Sequence, residues 1–163
     1  MASITLSRGE VAVVDDGDLA TVSAHRWWAK PRDATNGGYY AYCNIGGRTV
    51  YMHRLLMDAP RGLTVDHING DGLDNRRSNL RLATIGQNNA NKAIVRSASG
   101  YRGVSRRRTL FRAQIGRWPN IQRGPYRVSA EEAARDYDQF ALDRFGEFAS
   151  LNFPEHRIRK GEA

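Results

Sequence analysis

Between Tyr101 and Val128, 28 consecutive residues hold eight arginines (Arg102, Arg106, Arg107, Arg108, Arg112, Arg117, Arg123 and Arg127) and not one acid. Unpaired guanidinium groups are rarely withdrawn from water, so such a segment cannot be buried on both faces. It must lay one face on a core and leave the other to solvent or to an acidic partner. The residue order allows this. Phe111, Ala113 and Ile115 share one parity, while Arg112 and Gln114 take the other and Arg117 follows beyond Gly116. Three β-like segments, YRGVSRR, LFRAQIGRW and IQRGPYRV, are separated by Arg-Thr and Pro-Asn turns. A helix is expected next. Ser129 with Glu132 reads as a capping box, Ala130, Ala133, Ala134, Tyr137, Ala141 and Phe145 recur at helical spacing, and Gly146 stops the pattern. One sheet face packed on one helix is the simplest architecture for residues 101–154, with a charged, frayed tail over 155–163.

The rest of the chain is charged differently. Residues 1–88 carry 10 Lys/Arg against 9 Asp/Glu, whereas residues 89–163 carry 15 against 8, so the overall charge of +8 belongs to the back half. That excess points to nucleic acid as partner. Cys43 is the single cysteine, which excludes an internal disulfide and a cysteine-rich zinc site. No apolar run reaches membrane-spanning length, and the first residues lack a secretory pattern, so a cytoplasmic, intracellular setting is expected.

Residues 3 to about 51 read as short strands: SITL, EVAVVDD, RWWAK, then YYAYCNI and RTVYM, the last two forming a hairpin across Gly46 and Gly47. The stretch DGDLATVSAHR reads as a helical turn, and His53 to Asp58 as a short helix ended by Pro60. Trp27, Trp28, Tyr40 and Tyr42 are expected in the scaffold core. A polar Asn/Asp/Gly-rich stretch follows from Leu63 to Asn91, and small residues over NNANKAIVRSASG mark a linker and domain boundary.

Chemistry concentrates in VDHINGDGLDNRRSNLRLATIGQNNANK. Phosphodiester hydrolysis requires an activated water and a cation to neutralise charge on the phosphate. A histidine suits the first task, since its ordinary pKa of about 6.5 leaves much of it neutral. Asp and Asn oxygens suit a hard cation. Asp66, His67 and Asn88 supply those atoms. Surface turns also use Asn, Asp and Gly, so residue types alone do not make a site. An EF-hand loop is disfavoured by Ile68 at its third position and by the missing closing Glu, and zinc by the absence of finger spacings. Neighbours on a regular strand point to opposite faces, so the strand carrying Asp66 and His67 is expected to end or bulge there.

From His53 to Lys92 the motifs YMHRLL, VDHINGDGLDN, SNLRLAT and QNNANK resemble the HNH endonucleases of the phage and intron homing type. The resemblance implies a ββα-metal motif with Asp66 and Asn88 as metal ligands, His67 as general base and Asn79 orienting. Thr84 with Gln87 forms a capping box that starts a helix ahead of Asn88. His53 is compatible with contacting phosphate, assisting the site or packing. Arg54, Arg76, Arg77 and Arg81 are solvated by default and, near a metal, become phosphate clamps.

Residues 99–154 resemble the AP2 DNA-binding domain through YRGVSRR, the Phe-Arg-Ala-Gln-Ile strand, SAEEAARDYDQFAL and SLNFP. This resemblance implies a three-stranded antiparallel sheet on one helix. It also implies DNA contacts from Arg102, Arg106, Arg108, Arg112, Gln114, Arg117 and Arg123. RWPNIQRGPYRV departs from the family by lacking a Trp-containing third strand, and Tyr126 is the candidate replacement.

The expectation is thus an α+β chain: a β-rich scaffold over 1–52, an HNH motif over 53–92, a linker over 93–100, an AP2-like domain over 101–154 and a tail. It would act on double-stranded DNA with magnesium, or manganese, and no small-molecule cofactor or membrane, in a phage-type or homing role. A monomer is expected, with dimerisation on a palindromic site the alternative. The rival reading is a DNA-binding regulator without catalysis.

Overall fold

The computed structural model describes residues 1–32, 37–91 and 97–155. Two compact units divide the chain, Met1–Asn91 and Lys92–Ala163. The division falls between Asn91 and Lys92, and residues 92–96, which include the start of the linker expected over 93–100, lie outside the described residues, as does the expected tail from residue 156 onward.

The first unit opens with a hairpin of β1 (Ala2–Thr5) and β2 (Val11–Val14), then a 3-10 turn at Asp16–Asp18 and α1 (Leu19–Ser23). β3 (Trp28–Pro31), β4 (Tyr39–Ile45) and β5 (Arg48–Tyr51) form an antiparallel sheet with β4 in the middle. Gly46 and Gly47 turn β4 into β5 with φ of 57° and 76°, the left-handed pair a two-residue hairpin needs. The short helix α2 (Met52–Leu56) follows directly. β6 (Thr64–His67) and β7 (Leu80–Ala83) then pair antiparallel, and α3 (Ile85–Ala90) closes the unit.

One core joins the hairpin, the three-stranded sheet, the first two helices and the β6–β7 pair, through Leu6, Val14, Val22, Trp27, Met52, Leu56, Val65 and Leu80. Val14, Val22 and Met52 have no exposed surface, and burying such side chains contributes about 1.5–3 kcal/mol each. The first fifty residues therefore share one core with the strands that carry Asp66 and His67. They also hold the loop after β6. Val13 N–H donates to Leu73 O (2.9 Å) and Asn75 N–H to Val13 O (2.7 Å), while Asp15 accepts from the Arg77 backbone (2.8 Å) and Asp18 pairs with its guanidinium.

The second unit is a three-stranded antiparallel sheet of β8 (Val104–Arg107), β9 (Leu110–Ile115) and β10 (Gln122–Arg127), with β9 central and α4 (Ala130–Phe145) packed on it. Ala113 and Ile115 are buried against Tyr137 and Ala141, as the alternation predicts. Ser129 accepts from Glu132 N–H at 3.1 Å and starts the helix. Asp138, buried within α4, accepts from the backbone N–H groups of Asn152 (2.8 Å) and Phe153 (2.9 Å), which fastens the SLNFP segment to the helix. Gly103 is required: its φ is +68°, and an added Cβ would stand 2.1 Å from the Tyr137 ring.

Candidate active site

β6, β7 and α3 make a ββα unit, and its register fixes the chemistry. Asp66 lies opposite Arg81 and His67 opposite Leu80. The pairing is regular, without the bulge that is one of the two expectations, and β6 ends at His67. Asp66 and His67 are both buried. Asp66 faces the end of α3, accepting from Asn91 Nδ2 at 3.1 Å, and accepts from Arg81 Nε at 2.9 Å. His67 faces the other way, its ring centroid 5.8 Å from Tyr40 and 5.0 Å from His53. Thr84 and Gln87 form the reciprocal capping box that starts α3.

Asn88 occupies the second turn of that helix, where its Nδ2 donates to Thr64 Oγ1 at 3.4 Å. Among the described hydrogen bonds, the amide reaching Asp66 belongs to Asn91, three residues on, which also donates to His67 O at 3.0 Å. Sequence reasoning missed Asn91. Its signal was present, because residues three apart share a helix face and Asn91 continues the face of Asn88.

Asn79 organises the loop after β6. Its Nδ2 donates to Asn69 Oδ1 (3.0 Å) and Asp74 O (2.8 Å), and its Oδ1 accepts from Asn69 N–H (3.0 Å). Asn69 in turn donates to Asp74 at 2.9 Å. Arg32 from the end of β3 donates to Gly70 O and lies over the Tyr40 ring. Asn75, fully buried, is also absent from the sequence-based set.

Burial is the main cause that lowers the proton affinity of His67. The Asn75 side chain opposes it, Arg32 adds to it, and Asp66 and Asp71 oppose it. His67 Nε2 is buried without a hydrogen-bond partner among the described residues. His53 is pushed down to about 3, by burial first and then by His67 and Arg54. Its ring stacks on Tyr51 at 5.5 Å and contacts Tyr40 at 5.4 Å. Both imidazoles are neutral at physiological pH.

The expected phosphate arginines are already engaged. Arg54 donates to the carbonyls of Leu63 and Ala59, each at 3.0 Å, closing the turn that leads to β6. Arg76 pairs with Asp74 at 2.6 Å and holds that carboxyl below the usual carboxylate range. Arg77 pairs with Asp18 at 2.8 Å. Arg81 pairs with Asp66 at 2.8 Å.

In the second unit, register sorts the expected DNA contacts. Ser105 pairs with Arg112, Arg107 with Leu110, Gln114 with Arg123, and Arg112 with Tyr126, placing these on the face away from α4. A register shift between Arg123 and Tyr126 turns Gly124 toward Phe140. Arg112 lies over the Tyr126 ring at 4.9 Å, and Arg107 donates to Tyr126 Oη at 3.2 Å. Arg107 joins the outer face without having been singled out from sequence. Arg106 has the inward parity of its partner Phe111, lies over that ring and donates to Arg108 O. Arg108 and Arg117 are exposed at strand ends, and the Arg102 backbone is tied to Asn152.

A buried acid and imidazole at a strand end, closed by a short capped helix, stand on a ββα frame. Residues 50–90 match the HNH endonuclease family. The chain is 30% identical over 152 residues to an uncharacterized HNH endonuclease of Acanthamoeba polyphaga mimivirus, an alignment covering 89% of this chain and 76% of the relative. The protein belongs to the HNH endonuclease family. No solved structure matches it.

Asp66 already bears a cation in the form of the Arg81 guanidinium, which shows that its surroundings stabilise positive charge. The described residues contain no cluster of three or more His, Cys, Asp or Glu side chains able to hold a metal. One carboxylate beside the side-chain amides of Asn88 and Asn91, whose oxygens are hard donors, suits a hard divalent cation. Among the described residues, no helix is long and apolar enough to cross a membrane.

Proposed function

We propose that this protein cuts double-stranded DNA with magnesium or manganese, and that its second unit supplies recognition. The observation carrying this reading is the placement of Asp66 and His67 as consecutive buried residues at the end of β6, with Asn91 at the end of α3 bonded to the carboxylate. Asp66 and an amide oxygen of Asn88 or Asn91 would hold the cation. The cation, when bound, would neutralise charge on the phosphate and the leaving oxygen. His67 is neutral, with Nε2 free of protein partners among the described residues, and takes the proton from the attacking water. Asn79 orients the loop that follows the base. The products are 5′-phosphate and 3′-hydroxyl ends.

The outer sheet face, with Arg112, Gln114, Arg123 and Tyr126, suits the major groove, where Arg reads guanine and Gln reads adenine. The AP2 resemblance of residues 99–154 supports that assignment. Supercoiled plasmid incubated with the full chain tests the reading. Magnesium-dependent nicking that vanishes in His67→Ala supports it, whereas DNA binding without cleavage at any magnesium or manganese concentration would favour a regulator. A monomer with a single site predicts nicked circles ahead of linear product.

A further inference from the structure

Arg81 Nε donates to one oxygen of Asp66 at 2.9 Å and its Nη2 stands 2.8 Å from the same oxygen as an ion-pair contact, while Asn91 Nδ2 donates to the other oxygen at 3.1 Å. Register fixes the pair directly across β6 and β7. Asp66 is buried, at 4% side-chain exposure, and Arg81 is largely covered, at 12%. The carboxylate is thus neutralised and both its oxygens are occupied. A metal cation entering such a site meets a resident positive charge that must withdraw or share the ligand.

We infer that Arg81 is a placeholder for the cation, seated on Asp66 while no metal is bound and released toward the substrate phosphate when the cation and DNA arrive together. The inference rests on reading Asp66 as a metal ligand. The guanidinium holds the carboxylate in one orientation and compensates its charge where no cation sits. Arginine suits the exchange because one planar fork matches both carboxylate and phosphate. Charge favours a joint arrival: the divalent cation takes over Asp66 and the incoming phosphodiester compensates the displaced guanidinium. Metal and DNA affinities are therefore coupled through Arg81.

Calorimetric titration of the full chain with magnesium chloride, with and without duplex DNA, tests this at pH 8. Without DNA, Arg81→Gln should bind magnesium about tenfold more tightly than wild type, because a competing like charge has gone. It should also lose most of the tightening that DNA produces in wild type. Arg81→Lys keeps the charge without the fork and should show a smaller gain, which keeps the test open should the Gln variant fold poorly. Weaker or unchanged magnesium affinity in the folded variants would overturn the inference, showing that Arg81 only orients Asp66. Asp66→Ala is the control. If wild type shows no Asp66-dependent magnesium binding with or without DNA, the metal assignment falls as well.

Discussion

The imidazoles of His53 and His67 meet edge to face with centroids 5.0 Å apart, and one ring nitrogen of each is buried without a hydrogen-bond partner among the described residues. His53 thus forms a wall against His67, together with Tyr40 and Tyr51. His53→Phe keeps an aromatic wall and should retain most cleavage at pH 8. A loss of about 100-fold would instead mark His53 as a proton-transfer partner. Initial nicking rates at saturating magnesium measure the difference.

The same pair makes the fold acid-sensitive. His53 has a folded pKa of about 3, below its ordinary 6.5, so the unfolded chain binds more protons between those values. The stability contributed by the neutral ring is complete above pH 6.5 and falls as pH drops toward 3. Between pH 8 and pH 5 the loss from His53 alone is about 2 kcal/mol. His67, also lowered, adds to it. Urea denaturation of His53→Phe should show a shallower acid limb than wild type, and an identical limb would refute the assignment.

Gly72 is packed where a side chain cannot fit. A Cβ there would lie 2.4 Å from Tyr39 O and 2.5 Å from the Tyr40 ring. Gly72→Ala must therefore move β4, and with it the ring against His67. A cost of about 1–3 kcal/mol is expected from overpacking, together with a fall in kcat and, on the proposed division of labour between the units, an unchanged DNA affinity. Thermal melts and filter binding on the full chain separate the two effects.

Much of this was legible in the sequence because local rules agree with the fold. The Thr84–Gln87 box, the Gly46-Gly47 turn and the parity of Phe111, Ala113 and Ile115 each depend on a few neighbouring residues. What escaped depends on contacts between distant segments. The scaffold's grip on the active-site loop, through Val13, Asp15 and Asp18, joins residues about sixty apart and leaves no local pattern. Asn91 was hidden because helix phase, rather than residue type, decides which amide meets Asp66. Arg107 was hidden by the run of three arginines at 106–108, within which only strand register shows which faces out.

His67→Ala and Asp66→Ala should both abolish cleavage, but by different routes. The histidine variant should still show magnesium binding, since it removes only the proton acceptor. Loss of Asp66 would remove the proposed ligand and break the largely covered ion pair with Arg81, so a drop of about 3 kcal/mol in stability should accompany it. Equal melting temperatures for the two variants would contradict that account of the ion pair.

Two arginines of β10 give the sharpest test of how the second unit meets DNA. Arg123 pairs with Gln114 on the outer face and is exposed, whereas Arg127 lies opposite Phe111 and donates to Asp136 of α4 through Nε at 2.8 Å and Nη2 at 2.9 Å. If the outer face contacts phosphate, Arg123→Ala should reduce the slope of log affinity against log salt by about 0.9, the value for one phosphate contact. Arg127→Ala should leave that slope unchanged and lower the melting temperature slightly, as a solvent-screened pair does when it is lost. The two substitutions remove the same charge from the same strand, so nonspecific attraction alone predicts equal effects on binding. Fluorescence anisotropy over a salt series, with melting temperatures recorded on the same samples, distinguishes the outcomes. Equal slopes for both variants would mean that DNA senses the net charge of the unit and not the face its register presents.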